Sequence, residues 1–235
     1  MIQTTAELES IERFDPETAR LTLLDPSGLA QQVEPGQFLN VRVRDLMDPL
    51  FRRPFSVFDV QGTAGKPWRI QIVFKVVGRG TSLLYRMQPG DALDLIGPCG
   101  RGFQYEDLDR THMLVGGGMG GAPLHLLARK IIEKHGKEAD LTCYLGARNA
   151  GVSLFPGLYE DLGRTAGIRV ATEDGSEGYH GVVTELLDSD LSAMDPSKKE
   201  TLNVYACGPM PMLQALDAVS KKHSLWTQVS IEKRM

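Results

Sequence analysis

The sequence predicts a β plus α/β protein of two domains, an N-terminal antiparallel β-barrel followed by a parallel, doubly wound sheet. Three observations carry this. Between residues 18 and 77, apolar side chains recur at every second position in short runs separated by turn formers. From residue 111 onward, strand-like runs alternate with helix-like ones, the order of a βαβ sheet. The pattern changes near Gln104 to Arg110, so the domains are expected at 1–105 and 106–235. A chain of 235 residues with 42% hydrophobic and 24% charged residues has enough apolar material for sizeable cores.

The strand-like runs of the first half are 18–25 (TARLTLLD), 37–44 (QFLNVRVR), 55–60 (FSVFDV) and 68–77 (WRIQIVFKVV). Asp25-Pro26-Ser27-Gly28, Glu34-Pro35-Gly36 and the stretch from Gly62 to Pro67 supply the turns. One short helix is expected at 81–87 (TSLLYRM), closed by Pro89-Gly90. Short strands with a single helix fit a small antiparallel barrel. In the second half, a strand at 111–116 runs into glycines and a helix at about 120–135. A strand at 140–146 precedes a helical stretch near 153–163, and one at 168–172 precedes a helix at 181–188. A strand at 202–207 leads to a helix at 209–222, and a last strand covers 226–231.

Composition narrows the function. Lys plus Arg number 26 against 30 Asp plus Glu, a net charge of −4, which gives no general pull toward nucleic acid or an anionic membrane. The longest stretch without a formal charge, Thr111 to Ala128, holds five glycines, Pro123 and two histidines, too polar and too short to span a bilayer. The N-terminus MIQTTAELESIER has no apolar segment of the signal-peptide kind, so the expected location is cytoplasmic. Cys99, Cys143 and Cys207 are odd in number and show no C-x-x-C spacing, so neither a disulfide framework nor a metal site is read from them.

Gly116-Gly117-Gly118-Met119-Gly120-Gly121-Ala122-Pro123 contains G-x-G-x-x-G between a strand and a helix. Bare backbone there admits a pyrophosphate, and the N–H groups opening the helix face its charge. Pro123 suits an early helical position, where its missing N–H costs nothing. The competing reading is a tight turn, against which the strand–helix context weighs. The end of the second parallel strand reads Gly146-Ala147-Arg148-Asn149, without the carboxylate that usually grips the ribose. This favours a related nucleotide-binding sheet with a different ribose grip over the ordinary dehydrogenase fold.

Three further segments carry chemistry. Arg52-Arg53-Pro54-Phe55-Ser56 opens a strand, where an arginine can clamp a phosphate and a serine hydroxyl can reach a ring heteroatom; a basic turn fits those five residues equally. Gly78-Arg79-Gly80-Thr81 opens the short helix, either as a second phosphate anchor or as an N-cap. Cys207-Gly208-Pro209-Met210 lies at the carboxyl end of the fourth parallel strand, where ligands of open α/β sheets bind; a buried cysteine is otherwise a small hydrophobe.

Taken in order, R-x-P-F-S, G-x-G-T, G-G-G-x-G-x-A-P and C-G-P-x-P-M resemble the ferredoxin–NADP reductase-like flavoprotein family over almost the entire chain. Within it, RRPFS, Thr172-Glu173-Asp174-Gly175-Ser176 and the closing Ser230-Ile231-Glu232-Lys233-Arg234-Met235 are most similar to the electron-transfer subunits of type B dihydroorotate dehydrogenases. The resemblance implies a flavin-binding barrel ahead of a nicotinamide-binding domain. It implies that Arg53, Pro54, Phe55 and Ser56 contact FAD, with Arg53 on phosphate and Ser56 near the reactive edge. Val73, Phe74 and Lys75 would line the isoalloxazine and ribitol, and Gly80 and Thr81 the pyrophosphate. Gly117, Gly118, Gly120 and Gly121 would border the NAD site, with Cys207 and Gly208 beside the nicotinamide. Ser56 and Cys207 are thus the residues expected nearest the chemistry, Cys207 as a positioning group and not a nucleophile.

The implied activity is NADH-linked electron transfer through FAD. The implied partner is an FMN-containing catalytic subunit that oxidises dihydroorotate in pyrimidine synthesis, assembled as a heterotetramer. Two phosphate anchors, Arg53 and Gly80-Thr81, favour FAD over FMN, and Glu173 and Asp174 favour NADH over NADPH if they line the ribose pocket. The resembled subunits carry a four-cysteine segment holding a 2Fe–2S cluster beyond the stretch that ends here as Glu232-Lys233-Arg234-Met235. Three scattered cysteines do not supply four thiolates, so these residues are expected to bind no iron, with truncation before the ligands the favoured explanation. Two other readings stay open. One is a flavin or ferredoxin reductase subunit of another redox complex. The other is a nucleotide-binding regulatory protein without redox turnover, which a yellow purified protein would exclude.

Overall fold

The computed structural model describes residues 1–43, 51–62, 65–105, 111–136 and 139–231. Arg44, the turn residues Thr63 and Ala64, the expected boundary residues 106–110 and the closing 232–235 lie outside them. The chain forms two compact units, Met1–Gly102 and Phe103–Met235.

The first unit is one curled antiparallel sheet. Its strands are β1 (Ile2–Asp15), β2 (Thr18–Asp25), β3 (Phe38–Val43), β4 (Arg53–Ser56), β5 (Asp59–Gln61), β6 (Trp68–Lys75) and β7 (Ala92–Cys99), with helix α1 (Arg79–Arg86) between the last two. The hydrogen-bonded order is β4-β3-β7-β1-β2-β6-β5. Alternate residues on β1, β2, β3, β6 and β7 point inward, and Leu8, Leu21, Leu23, Leu39, Ile72 and Leu95 are fully buried there. The ends of the sheet approach where the Phe55 and Phe74 rings meet edge to face, centroids 5.9 Å apart.

One expectation needs correction in this unit, and two strands come in addition to those expected. The run 55–60 is not one strand. Val57 N donates to Gln37 O and Phe58 N to Gln71 O, so the chain turns a corner from the β3 side of the sheet to the β6 side. Both side chains are buried at that corner, and the continuous apolar run conceals it. Strands β1 and β7, not anticipated from the sequence, form the middle of the sheet, pairing Ile2 with Gly97 through Glu7 with Ala92.

The second unit is a six-stranded parallel sheet. It comprises β8 (Thr111–Gly117), β9 (Leu141–Ala147), β10 (Ala166–Thr172), β11 (Tyr179–His180), β12 (Leu202–Cys207) and β13 (Trp226–Ser230), ordered β11-β10-β9-β8-β12-β13. Without the two-residue β11, the order by sequence is 3-2-1-4-5, the doubly wound arrangement whose direction reverses between β8 and β12. Its helices are α2 (Ala122–His135), α3 (Phe155–Leu158), α4 (Val183–Ala193), α5 (Pro196–Lys199) and α6 (Met210–His223). Helices α4 and α6 bury Val183, Leu187, Leu213 and Leu216 against Met113, Val115 and Val204. Helix α2 packs on β8, β9 and β12 through residues outside that cluster, Leu124, Leu127, Ala128 and Ile131 among its buried side chains.

The helical stretch anticipated near 153–163 is not one helix. It resolves into the four-residue α3 and a 3-10 segment, Glu160–Thr165. Pro156 and Gly157 explain this: proline is accepted only in a first turn, and glycine is a poor helix former. Pro123 stands in the first turn of α2, as its missing N–H allows.

Candidate functional site

Each unit holds a crevice. In the first, about 250 Å³ is lined by Val41, Arg42, Arg53, Phe55, Gly80 and Leu84, among others. Residues 53, 55 and 80, singled out from separate motifs, thus share one wall. The two arginines of RRPFS part company here. Arg52 Nη2 pairs with Asp94 Oδ2 at 2.5 Å and its Nη1 donates to Asp94 O at 2.7 Å. Arg53 donates only to the carbonyls of Phe51 and Arg52, both at 3.3 Å, and among the described residues no carboxylate pairs with it. Arg52 is thus tied to Asp94, and Arg53 is not.

The remaining flavin candidates divide by environment. Pro54 and Ser56 flank Phe55 on β4, Pro54 exposed and Ser56 half-buried. Val73 and Phe74 are buried on β6, Phe74 against Phe55. Lys75 pairs with Glu17 at 3.1 Å. The Thr81 hydroxyl accepts from Val77 N at 2.9 Å and Gly78 N at 3.2 Å, and donates to Gly78 O at 3.0 Å. It closes the turn before α1, whose first-turn backbone N–H groups lie beside Gly80.

In the second unit, about 230 Å³ lies at the carboxyl ends of β8 and β9, lined by Gly116, Gly118, Gly146, Ala147, Val152 and Phe155 among others. Gly118 has φ +52°, and a Cβ there would meet nothing within 4 Å. It is both a left-handed position and an open cradle, so glycine is required for conformation and for access. The other three candidate glycines of this turn serve packing. A Cβ on Gly117 would run into Met212 Sδ, one on Gly120 into the Cys207 carbonyl, and one on Gly121 into the Phe155 ring at 2.5 Å. Gly208 is likewise closed by Met212 Cε at 2.5 Å. Cys207 ends β12 as the register partner of Gly116 and is 2% exposed.

Sequence reasoning missed what holds this turn. The Tyr159 hydroxyl, fully buried, donates to Gly121 O at 2.7 Å. Its ring meets Phe155 and His125 edge to face, and His125 Nε2 lies 2.8 Å from Asp161 Oδ1. Gly116, the first glycine of the motif, lines the crevice, whereas residues 152–156 on its other side were not singled out from the sequence. An aromatic three residues after a Pro-Gly interruption carries no signal until the chain folds back onto the glycines.

The acidic loop after β10 approaches the same end of the sheet. Glu173 N donates to Ala147 O at 3.1 Å and Asp174 N to Arg148 O at 3.3 Å. The Asp174 carboxylate accepts from Ser176 Oγ at 2.6 Å and Ser176 N at 3.0 Å, which holds it below the usual carboxylate range. Ser176 Oγ in turn accepts from Ala150 N at 2.8 Å, tying this loop to the one that walls the crevice.

Cys99, Cys143 and Cys207 are buried and form no disulfide. Burial in β9 pushes the Cys143 thiol up to about 12. Among the described residues, no group of three or more His, Cys, Asp or Glu is placed to hold a metal ion, and no helix is long and apolar enough to cross a membrane.

The glycine crevice and the sheet around it match known proteins. Residues 114–218 match the oxidoreductase NAD-binding domain family. A solved structure of an NADH-dependent reduced ferredoxin-NADP oxidoreductase is 26% identical, with a TM-score of 0.79 over 98% of this chain and 77% of that one. Fold and crevices therefore define a two-domain, ferredoxin reductase-like oxidoreductase. The dihydroorotate dehydrogenase B (NAD(+)) electron transfer subunit of Geobacillus thermodenitrificans (strain NG80-2) is 34% identical over 88% of this chain and 74% of its own. That of Desulforamulus reducens (strain ATCC BAA-1160 / DSM 100696 / MI-1) is 33% identical over 90% of this chain and 76% of its own. The chain belongs to the family of dihydroorotate dehydrogenase B electron transfer subunits.

Proposed function

We propose that this chain carries electrons between NAD(H) and a dihydroorotate-oxidising partner through bound FAD, as a module of pyrimidine biosynthesis in the cytoplasm. The observation that carries the flavin assignment is the gathering of Arg53, Phe55 and Gly80 on one crevice, with Arg53 lacking a carboxylate partner among the described residues. The residues present fit the cofactor: a cation, the opening turn of a helix and an aromatic wall. Residues 1–105 form the FAD-binding domain in this reading, and 106–235 the NAD-binding domain. When bound, the flavin supplies the capacity to take a hydride and pass electrons on singly or in pairs.

The chain's own residues bind and orient. Arg53 and the first turn of α1 hold phosphate, while Phe55, backed by Phe74 and Val73, and Lys75 border the ring system with its ribityl chain. Pro54 fixes the backbone of β4, which sets Ser56 near the reactive edge. For the nucleotide, Gly118 admits the pyrophosphate, and Gly117, Gly120 and Gly121 hold the turn against β12. Cys207 and Gly208 then sit at the nicotinamide, where a small side chain allows the close approach that hydride transfer requires. Glu173 and Asp174 disfavour the 2′-phosphate of NADPH at the ribose end, so NADH is the preferred nucleotide.

The partner in this reading is an FMN-containing catalytic subunit, in a heterotetramer, and residues 1–235 themselves hold no 2Fe–2S cluster. A reductase subunit of another redox complex is the second reading, which the 26% identity to the ferredoxin-linked oxidoreductase favours. Purification from the native cell separates the two. A co-purifying dihydroorotate-oxidising polypeptide, with FAD released on denaturing this chain, is the expected result. Release of FMN alone from this chain, or a ferredoxin-linked partner, refutes the first reading.

A further inference from the structure

Arg42, which no sequence motif singled out, lines the same crevice as Arg53 and Gly80. Its Nη2 donates to Asp94 Oδ2 at 3.1 Å, but that oxygen also accepts the shorter 2.5 Å contact from Arg52 Nη2, and Arg52 Nη1 takes the backbone carbonyl of Asp94. One carboxylate therefore serves two guanidinium groups, and Arg52 holds it more closely. Arg42 Nε is buried and has no hydrogen-bond acceptor among the described residues. Arg42 thus shares its one carboxylate partner among the described residues, and lines the crevice together with Arg53.

We propose that Arg42 is a second cationic phosphate ligand of this crevice, acting with Arg53 on a pyrophosphate and so selecting FAD over flavins that lack one. The inference rests on the flavin reading above. A pyrophosphate diester carries two negative charges and presents oxygens on two phosphorus atoms to two separated guanidinium forks. A buried N–H without an acceptor is a costly arrangement, and a phosphate oxygen in the crevice would give the Arg42 guanidinium a reason to turn from Asp94 toward the anion. Asp94 would not be orphaned by that movement, because Arg52 keeps it paired. The network is therefore able to release Arg42 without leaving a bare buried carboxylate.

The test measures equilibrium binding of riboflavin, FMN and FAD to the full chain, the wild type against Arg42→Met and Arg42→Lys. FAD affinity is expected to fall about tenfold or more in Arg42→Met, in line with a lost charge-assisted contact, while riboflavin affinity stays within about twofold. Arg42→Lys keeps the charge and should recover part of the FAD loss. FMN should respond less than FAD. Unchanged FAD affinity in Arg42→Met overturns the proposal. Equal loss of riboflavin and FAD also overturns it, assigning Arg42 a structural role through Asp94. A wild-type chain that binds no flavin at all instead removes the reading on which the inference stands.

Discussion

The Arg52 side chain folds back on Asp94, while among the described residues that of its neighbour Arg53 meets two backbone carbonyls and no carboxylate. The residue types in RRPFS do not separate the two; the resemblance points to Arg53, and the contact of Arg52 with Asp94, distant in sequence, gives the physical difference. Arg53→Ala should therefore release flavin without unfolding the first unit. The expected loss is about 1.5–3 kcal/mol of FAD affinity, on the order of 10- to 150-fold, read by equilibrium dialysis. Wild-type affinity in the variant removes Arg53 from the site. The glycines make a second residue-scale contrast. Gly118→Ala places a Cβ in open space at a φ of +52°, so it should cost only about 1 kcal/mol of stability while obstructing the nucleotide. Gly120→Ala drives a Cβ into the Cys207 carbonyl and should destabilise the second unit by more than that. Thermal melting with and without NAD separates them: a Gly118→Ala protein that NAD still stabilises to the wild-type extent would contradict the open-cradle assignment.

At the scale of elements, five of the six parallel strands were legible as short runs alternating with helix signals, and the two-residue β11 was not. Strand β12 matches its expected range, Leu202–Cys207. Strand β1 was not legible, since its inward positions include Thr4 and Ala6 and its outward ones are glutamates and other polar groups, a weak alternation by apolar criteria. Strand β7 carries Asp94, Gly97 and Pro98, which read as a break. Asp94 is tolerated there only because Arg42 and Arg52, distant in sequence, reach it. Another long-range clasp joins α4 to α6. Asp188 accepts from Lys222 Nζ at 2.7 Å and faces His223 Nε2 at 2.7 Å, and the Lys222 and His223 contacts hold its carboxyl below the ordinary range. A carboxyl whose folded pKa is depressed adds stability above its unfolded value, and that stability fades as pH falls through the folded one. Asp188→Asn should then cost about 1 kcal/mol at pH 7, with the difference from wild type shrinking as the pH is lowered past about 4. Urea unfolding at the two pH values checks this. An equal difference at both would mean that the charge of Asp188 is not what joins the helices.

For the whole molecule, the order of four motifs along the chain conveyed more than any one of them. R-x-P-F-S and G-x-G-T fall in the unit with the antiparallel sheet, and the glycine turn and C-G-P-x-P-M fall in the parallel one. What the sequence could not disclose is the support behind the motifs: Tyr159 under Gly121, Ser176 between Asp174 and Ala150, and Arg42 beside Arg53. Each depends on residues tens of positions apart or on a loop whose course has no local code. In the proposed function, NAD(H) and FAD bound to one chain exchange electrons. Anaerobic titration of the purified, FAD-loaded chain with NADH tests this most directly. Flavin absorbance is expected to bleach to completion at one NADH per bound flavin, with NADPH markedly slower and no iron required. Flavin that stays oxidised in excess NADH, with both ligands shown to be bound, would contradict it.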